Sequence, residues 1–233
     1  MKAIILDLDN TLIDFAKTKV RCCEAAVDAM IKNGLKMSKD NAMKAIFELY
    51  GKYGWEDQFV FQKMMKKHFG RIDYSIITPG IFAYRKMKES LVMPFPGVKE
   101  TIKKLRKRGY KIAVLSDAPG IQAWMRITAM DMHKGYFDHV ITRDITKVRK
   151  PNPKAFKIAL KALKVRPEDA AMVGDSFKKD IYPAKRLGMK AIYAEYGPLK
   201  YKIKEYSIPV YTTTTGKSDL TIRKFSDLLK ILK

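Results

Sequence analysis

From residue 94 onward, short apolar runs alternate with amphipathic segments, and few folds accept that alternation. The runs are "KIAVLSD" (111–117), "HVIT" (139–142), "AAMVGD" (170–175) and "KAIYA" (190–194). Between them lie helical patterns: "PFPGVKETIKKLRKRGY" (94–110), a stretch around 120–130, "PKAFKIALKALK" (153–164) and "DIYPAKRLG" (180–188). A short strand "IPVYT" (208–212) and a helix "LTIRKFSDLLKIL" (220–232) are expected to close the series. Unbroken apolar strands separated by helices are the signature of a parallel sheet covered on both faces. "AIIL" (3–6) reads as one more such strand, remote in sequence from the rest. The expected fold is therefore α/β, a Rossmann-like doubly wound parallel sheet.

Residues 16–92 break the pattern, because they contain helical periodicity and no convincing strand. "KTKVRCCEAAVDAMIKNG" and "SKDNAMKAIFELYGKYG" end in glycine stops, the second opening on a serine cap. "EDQFVFQKMMKKHFG" follows, and "SIITPGIFAYRKMKES" reads as a helix interrupted by Pro79 and Gly80. The expected organisation is a core of residues 1–15 and 93–233 with a helical-bundle cap, residues 16–92, inserted in it.

Composition limits the function classes. An apolar fraction of 47% argues against disorder, and no stretch approaches the ~18–20 apolar residues of a membrane span. The N-terminus lacks the small-residue cleavage site of a signal peptide. Cys22 and Cys23, the only cysteines, suit neither a metal knuckle nor a disulfide scaffold, so a reducing, cytoplasmic setting is expected. The net charge of +23 would attract polyanions. No recognition motif accompanies it, so a lysine-rich solvated surface is the simpler reading and nucleic acid is not the expected partner.

Parallel sheets bind ligands at the carboxyl ends of their strands. Asp7, Ser116 and Asp175 each lie just past a predicted strand end, which makes them candidates for one shared site. Asp7 and Asp9 pose a problem of their own. Alternation puts two like charges on one side of an extended chain, so something positive has to hold them there.

In chain order the polar residues at these ends are "DLDNT" (7–11), "LSD" (115–117), "KPNP" (150–153) and "GDSFKKD" (174–180). This closely resembles the haloacid dehalogenase superfamily: an Asp-x-Asp, a Ser or Thr, a lysine and a late acidic pair, in that order. The resemblance covers the whole chain, with residues 16–92 where that superfamily carries a helical cap. Within it, the chain looks most like small helical-cap archaeal phosphatases acting on glyceraldehyde 3-phosphate or phosphoglycolate.

The resemblance implies a phosphatase in which Asp7 is the nucleophile and Asp9 the general acid and base. Mg²⁺ would be held by Asp7, Asp175, the backbone carbonyl of Asp9 and, through its waters, Asp180. Lys150 and Ser116 would bind the phosphoryl group, with Thr11 and Asp117 beside them. Mg²⁺ and Lys150 would then be the positive charges that hold Asp7 and Asp9 together. A departing alkoxide needs a proton and a halide does not, so Asp9 favours phosphate esters over haloacids. The expected partner is a small phosphorylated metabolite, and the expected state a monomer or homodimer.

Simpler readings stand beside these. Short acids are common in turns, Ser116 could cap a helix, Lys150 could open one, and Asp180 could serve a helix dipole. Two other functions also stay open: a phosphotransferase or mutase of the same superfamily, and a polyanion-binding protein on the same fold. His68, His133 and His139 share no metal-ligand spacing. Specificity is expected from the loop "GKYGWEDQ" (51–58), where Trp55 either meets the leaving group or anchors two cap helices.

Overall fold

A computed structural model describes residues 1–197 and 216–232. The strands are β1 (Ala3–Leu6), β2 (Lys111–Leu115), β3 (His139–Ile141), β4 (Ala170–Gly174), β5 (Lys190–Ala194) and β6 (Leu220–Ile222). They form one parallel sheet in the order β3-β2-β1-β4-β5-β6. The expected Rossmann-like α/β fold is present.

Alternation along the strands feeds two separate cores. Ile4, Leu6, Ile112, Val114, Ala171 and Val173 face one cluster. It is completed by α5 (Val98–Lys107), α6 (Gly120–Ala129) and α10 (Leu228–Ile231), through residues such as Ile102, Leu105, Ile127 and Leu228. Ala3, Ile5, Ala113, Leu115 and Met172 face the other. There α8 (Pro153–Leu163) and α9 (Tyr182–Arg186) supply Phe156, Leu160 and Ala184. A sheet buried on both faces is why its strands read as unbroken apolar runs. The short α7 (Arg143–Thr146) follows β3.

A second compact unit, Ala16–Leu91, has its own core. Its helices are α1 (Phe15–Lys32), whose first residue Phe15 belongs to the sheet unit, α2 (Lys39–Tyr53), α3 (Val60–Phe69) and α4 (Tyr74–Leu91). The Ser38 side chain caps α2 by accepting the Asn41 N–H at 3.3 Å, and Gly70 ends α3 in the left-handed region at φ 71°.

Several expectations give way. Pro79 and Gly80 do not interrupt α4, which runs unbroken from Tyr74 to Leu91. Pro79 lies near the helix start, where the carbonyl deprived of its N–H belongs to exposed Ser75 and water can serve it. Gly80 allows a close approach, since a Cβ there would stand 2.5 Å from Met30 Cγ. The span 51–58 is not all loop, as Gly51–Tyr53 complete α2. Glu56–Phe59 precede α3 instead of opening it, with Asp57 accepting the Phe59 N–H at 2.7 Å.

The expected helix 220–232 begins as a strand. Leu220–Ile222 pair in parallel with Ile192–Ala194, and a helical turn, Phe225–Asp227, leads into the short α10. A vacant sheet edge outweighs modest helical propensity at β-branched Thr221 and Ile222. The expected strand 208–212 lies outside the described residues. No described helix is long and apolar enough to cross a membrane.

Candidate active site

The strand order reverses direction at β1, between β2 and β4, which is the switch point where open α/β sheets bind ligands. Asp7 follows β1 and Asp175 follows β4. The adjacent strands hold them level, with the Asp7 N–H donating to the Val173 carbonyl at 2.9 Å. Ser116 follows β2 in the same way, its N–H bonded to Ile141 O at 2.9 Å.

Asp180 reaches this point from a single wide helical turn, Phe177–Ile181. The turn is fixed reciprocally: Ser176 Oγ accepts the Lys179 N–H at 3.2 Å, and Asp180 Oδ2 accepts the Ser176 N–H at 3.2 Å. Gly174 leaves the necessary room, because a Cβ there would lie 2.4 Å from Asp180 Cγ. Wide turns of this kind recur at functional sites.

Lys150 joins the group from the loop before α8. Its Nζ donates to Asp7 Oδ1 at 2.7 Å and to Asp180 Oδ1 at 2.6 Å. Burial alone would push the Lys150 ammonium down, but the carboxylates of Asp180, Asp7 and Asp117 outweigh it and raise its pKa. It is a fixed positive charge.

Carboxylate oxygens of Asp7, Asp175 and Asp180 lie within 4.8 Å of one another. Burial, then the Asp7 and Asp180 charges, push Asp175 well above the usual carboxylate range. Burial also lifts Asp180 to about 7, against the pull of Lys150. Three buried carboxylates around one ammonium are under-compensated, and an all-oxygen donor set is what a hard divalent cation takes. Buried Thr11 Oγ1 has no hydrogen-bond partner among the described residues. The residues present therefore fit a divalent metal with a polar ligand beside it.

Other expected residues are placed differently. Ser116 Oγ accepts the Ala118 N–H at 3.1 Å and keeps its own O–H for donation. The Asp117 carboxylate accepts the Lys150 N–H at 2.8 Å, so its side chain fixes the lysine loop, and a phosphate contact would fall to its backbone. The Asp9 carboxylate is not in the acidic cluster. Lys150 holds Asp7 but not Asp9, whose Oδ2 receives a hydrogen bond from Arg126 Nη1 at 3.0 Å.

Arg126 escaped the reading of the sequence, although it left a signal. It falls in helical phase with Ala123, Ile127 and Met130, so a charged residue occupies a core stripe. Tyr196 was missed as well. Its hydroxyl donates to the Thr11 carbonyl at 2.7 Å and steadies the turn after β1. Cys22 and Cys23 are buried, and burial pushes their thiols up to about 11 and about 12. Neither offers a thiolate at neutral pH.

The family model for haloacid dehalogenase-like hydrolases matches residues 1–188. A glyceraldehyde 3-phosphate phosphatase of Pyrococcus furiosus is 33% identical over 236 residues, covering 100% of this chain and 93% of the relative. A phosphoglycolate phosphatase of Aquifex aeolicus is 29% identical, covering 100% and 97%. The crystal structure of a HAD phosphatase from Thermococcus onnurineus superposes with a TM-score of 0.69 at 26% identity, covering 100% and 98%. The motifs at the strand ends, the sheet order and these similarities agree: the chain belongs to the haloacid dehalogenase-like hydrolases.

Proposed function

We propose that this chain is a magnesium-dependent phosphatase that hydrolyses a small phosphate monoester through an aspartyl-phosphate on Asp7. The enzyme is a phosphoric monoester hydrolase of its family, in keeping with relatives named as phosphatases. The observation that carries the finer reading is the Lys150 ammonium bridging Asp7 and Asp180 inside a buried carboxylate cluster.

A carboxylate attacking a phosphate dianion meets repulsion that only nearby cations relieve. Lys150 supplies one positive charge and fixes Asp7 Oδ1. Asp7, Asp175 and the Asp9 carbonyl, with Asp180 acting through bound waters, would hold Mg²⁺, which when bound neutralises phosphoryl charge. Asp7 attacks phosphorus with a carboxylate oxygen, and the bond to the ester oxygen breaks. Asp9 gives its proton to that leaving oxygen. It then takes a proton from the water that attacks phosphorus in the aspartyl-phosphate, which restores Asp7. Ser116 and the Thr11 hydroxyl donate to non-bridging oxygens.

The names of the relatives support a substrate class of small phosphorylated aldehydes or acids. The test is phosphate release from a panel of such esters, with Mg²⁺ and with excess chelator. Turnover of two- and three-carbon phosphates is expected with Mg²⁺ and none with chelator. Ca²⁺ should restore little, because it takes more ligands at longer distances. Full turnover in chelator would overturn the metal assignment, and no turnover of any monoester with Mg²⁺ would overturn the activity.

A further inference from the structure

The Arg126 side chain is 2% exposed, on the buried side of α6. Its guanidinium lies 4.3 Å from the centre of the Phe15 ring and donates to Asp9 Oδ2 at 3.0 Å. A guanidinium keeps its charge at any ordinary pH, and burying one is costly unless a partner and a tight environment compensate. Here Asp9 is one partner, 117 positions away in sequence. Lys150, the other buried cation at these strand ends among the described residues, holds Asp7 and Asp180. The two aspartates of the opening motif are thus held by two different cations from two different elements.

We propose that Arg126 is a positioning residue for the proton-transfer step, holding the Asp9 carboxylate in the orientation from which it serves the leaving oxygen. This deepens the function proposed above and rests on Asp9 being the acid and base. In this role Arg126 acts through Asp9 and not on the substrate. It grips one carboxylate oxygen and, packed on Phe15, has little freedom to follow a swing of that carboxylate. In the step it serves, the bond between phosphorus and the ester oxygen breaks with its electron pair on oxygen. A proton moves from Asp9 to that oxygen. A carboxyl group displaced by about 1 Å loses much of its advantage in such a transfer. The alternative is a structural ion pair that merely ties α6 to the loop after β1.

Leaving groups separate the two. A nitrophenolate departs without a proton, whereas an alkoxide needs one. For Arg126→Met, kcat/KM on 4-nitrophenyl phosphate should stay within about threefold of the parent, since that ratio reports formation of the phosphoenzyme. On an alkyl phosphate it should fall by roughly tenfold or more. The kcat on the aryl ester should fall together with KM, because the water step also needs Asp9. Arg126→Lys, which keeps the charge but not the forked geometry, should lie between. If the Met variant does not fold, the Lys variant carries the test alone. In an Asp9→Asn background, Arg126→Lys should change alkyl kcat/KM by less than about twofold, since a residue acting through Asp9 has nothing left to position.

Equal losses on aryl and alkyl esters, or full alkyl activity in folded Arg126 variants, would overturn the proposal. So would an undiminished further loss in the Asp9→Asn background. Should Asp9→Asn itself treat the two esters alike, the acid-base reading fails and this inference falls with it. Should Asp9→Asn discriminate and the Arg126 variants not, only the positioning role fails.

Discussion

Lys150 Nζ stands 2.7 Å from Asp7 Oδ1 and 2.6 Å from Asp180 Oδ1, so one ammonium ties the residue after β1 to the turn after β4. Removing it leaves buried carboxylates facing each other without their cation. Lys150→Met is expected to lower kcat/KM by about 10²-fold or more, the scale on which preorganised charges act in such sites. Steady-state phosphate release checks this, and a loss below about threefold would show that Lys150 is structural.

Asp7 and Asp9 should fail differently when substituted. Asp7→Asn is expected to leave no detectable turnover of any ester. Asp9→Asn should lose about 10²-fold on alkyl phosphates and far less on aryl phosphates in kcat/KM. Parallel losses on both ester types would show that Asp9 does no proton transfer.

Acid stability has a named contributor in Asp138. Partial burial pushes its carboxyl up, but the Arg106 guanidinium and the Ile112 N–H outweigh that and hold it below the usual carboxylate range. A lowered folded pKa gives stability that is present above the unfolded value, near ~4, and is lost as pH falls through the folded one. Asp138→Asn should therefore be less stable at pH 7, by about 1 kcal/mol or less, with the gap closing as pH falls through the folded value. Melting curves across that range check it, and a gap that widens in acid would contradict it.

Trp55 packs edge-on against Phe47 at 5.7 Å and stacks on Tyr50 at 6.4 Å. Those contacts belong to the core of the helical unit. Trp55→Ala is expected to cost about 1–3 kcal/mol, less than for a fully buried aromatic because Trp55 is only partly covered. Denaturant unfolding measures it. A variant as stable as its parent would remove Trp55 from the packing account.

The middle of the sheet was legible because β1, β2, β4 and β5 are buried on both faces and so announce themselves as apolar runs. β1, β2 and β4 fall within the quoted runs, and Asp7, Ser116 and Asp175 follow their ends. What stayed hidden depends on tertiary context. Leu220–Ile222 become a strand because β5 offers an open edge, which no local pattern encodes. Pro79 sits inside a helix because the carbonyl it deprives faces solvent. Arg126 meets Asp9 only once α6 has packed on the sheet, so motif spacing could place Lys150 but not the second cation.

The stereochemical course at phosphorus tests the central claim most directly. A phosphorothioate monoester made chiral at phosphorus with two oxygen isotopes is hydrolysed with Mg²⁺ in water carrying the third, and the configuration of the released thiophosphate is compared with that of the substrate. Attack by Asp7 followed by attack of water on the aspartyl-phosphate inverts phosphorus twice, so the account expects net retention. Net inversion would mean a single direct attack by water and would contradict Asp7 as the nucleophile.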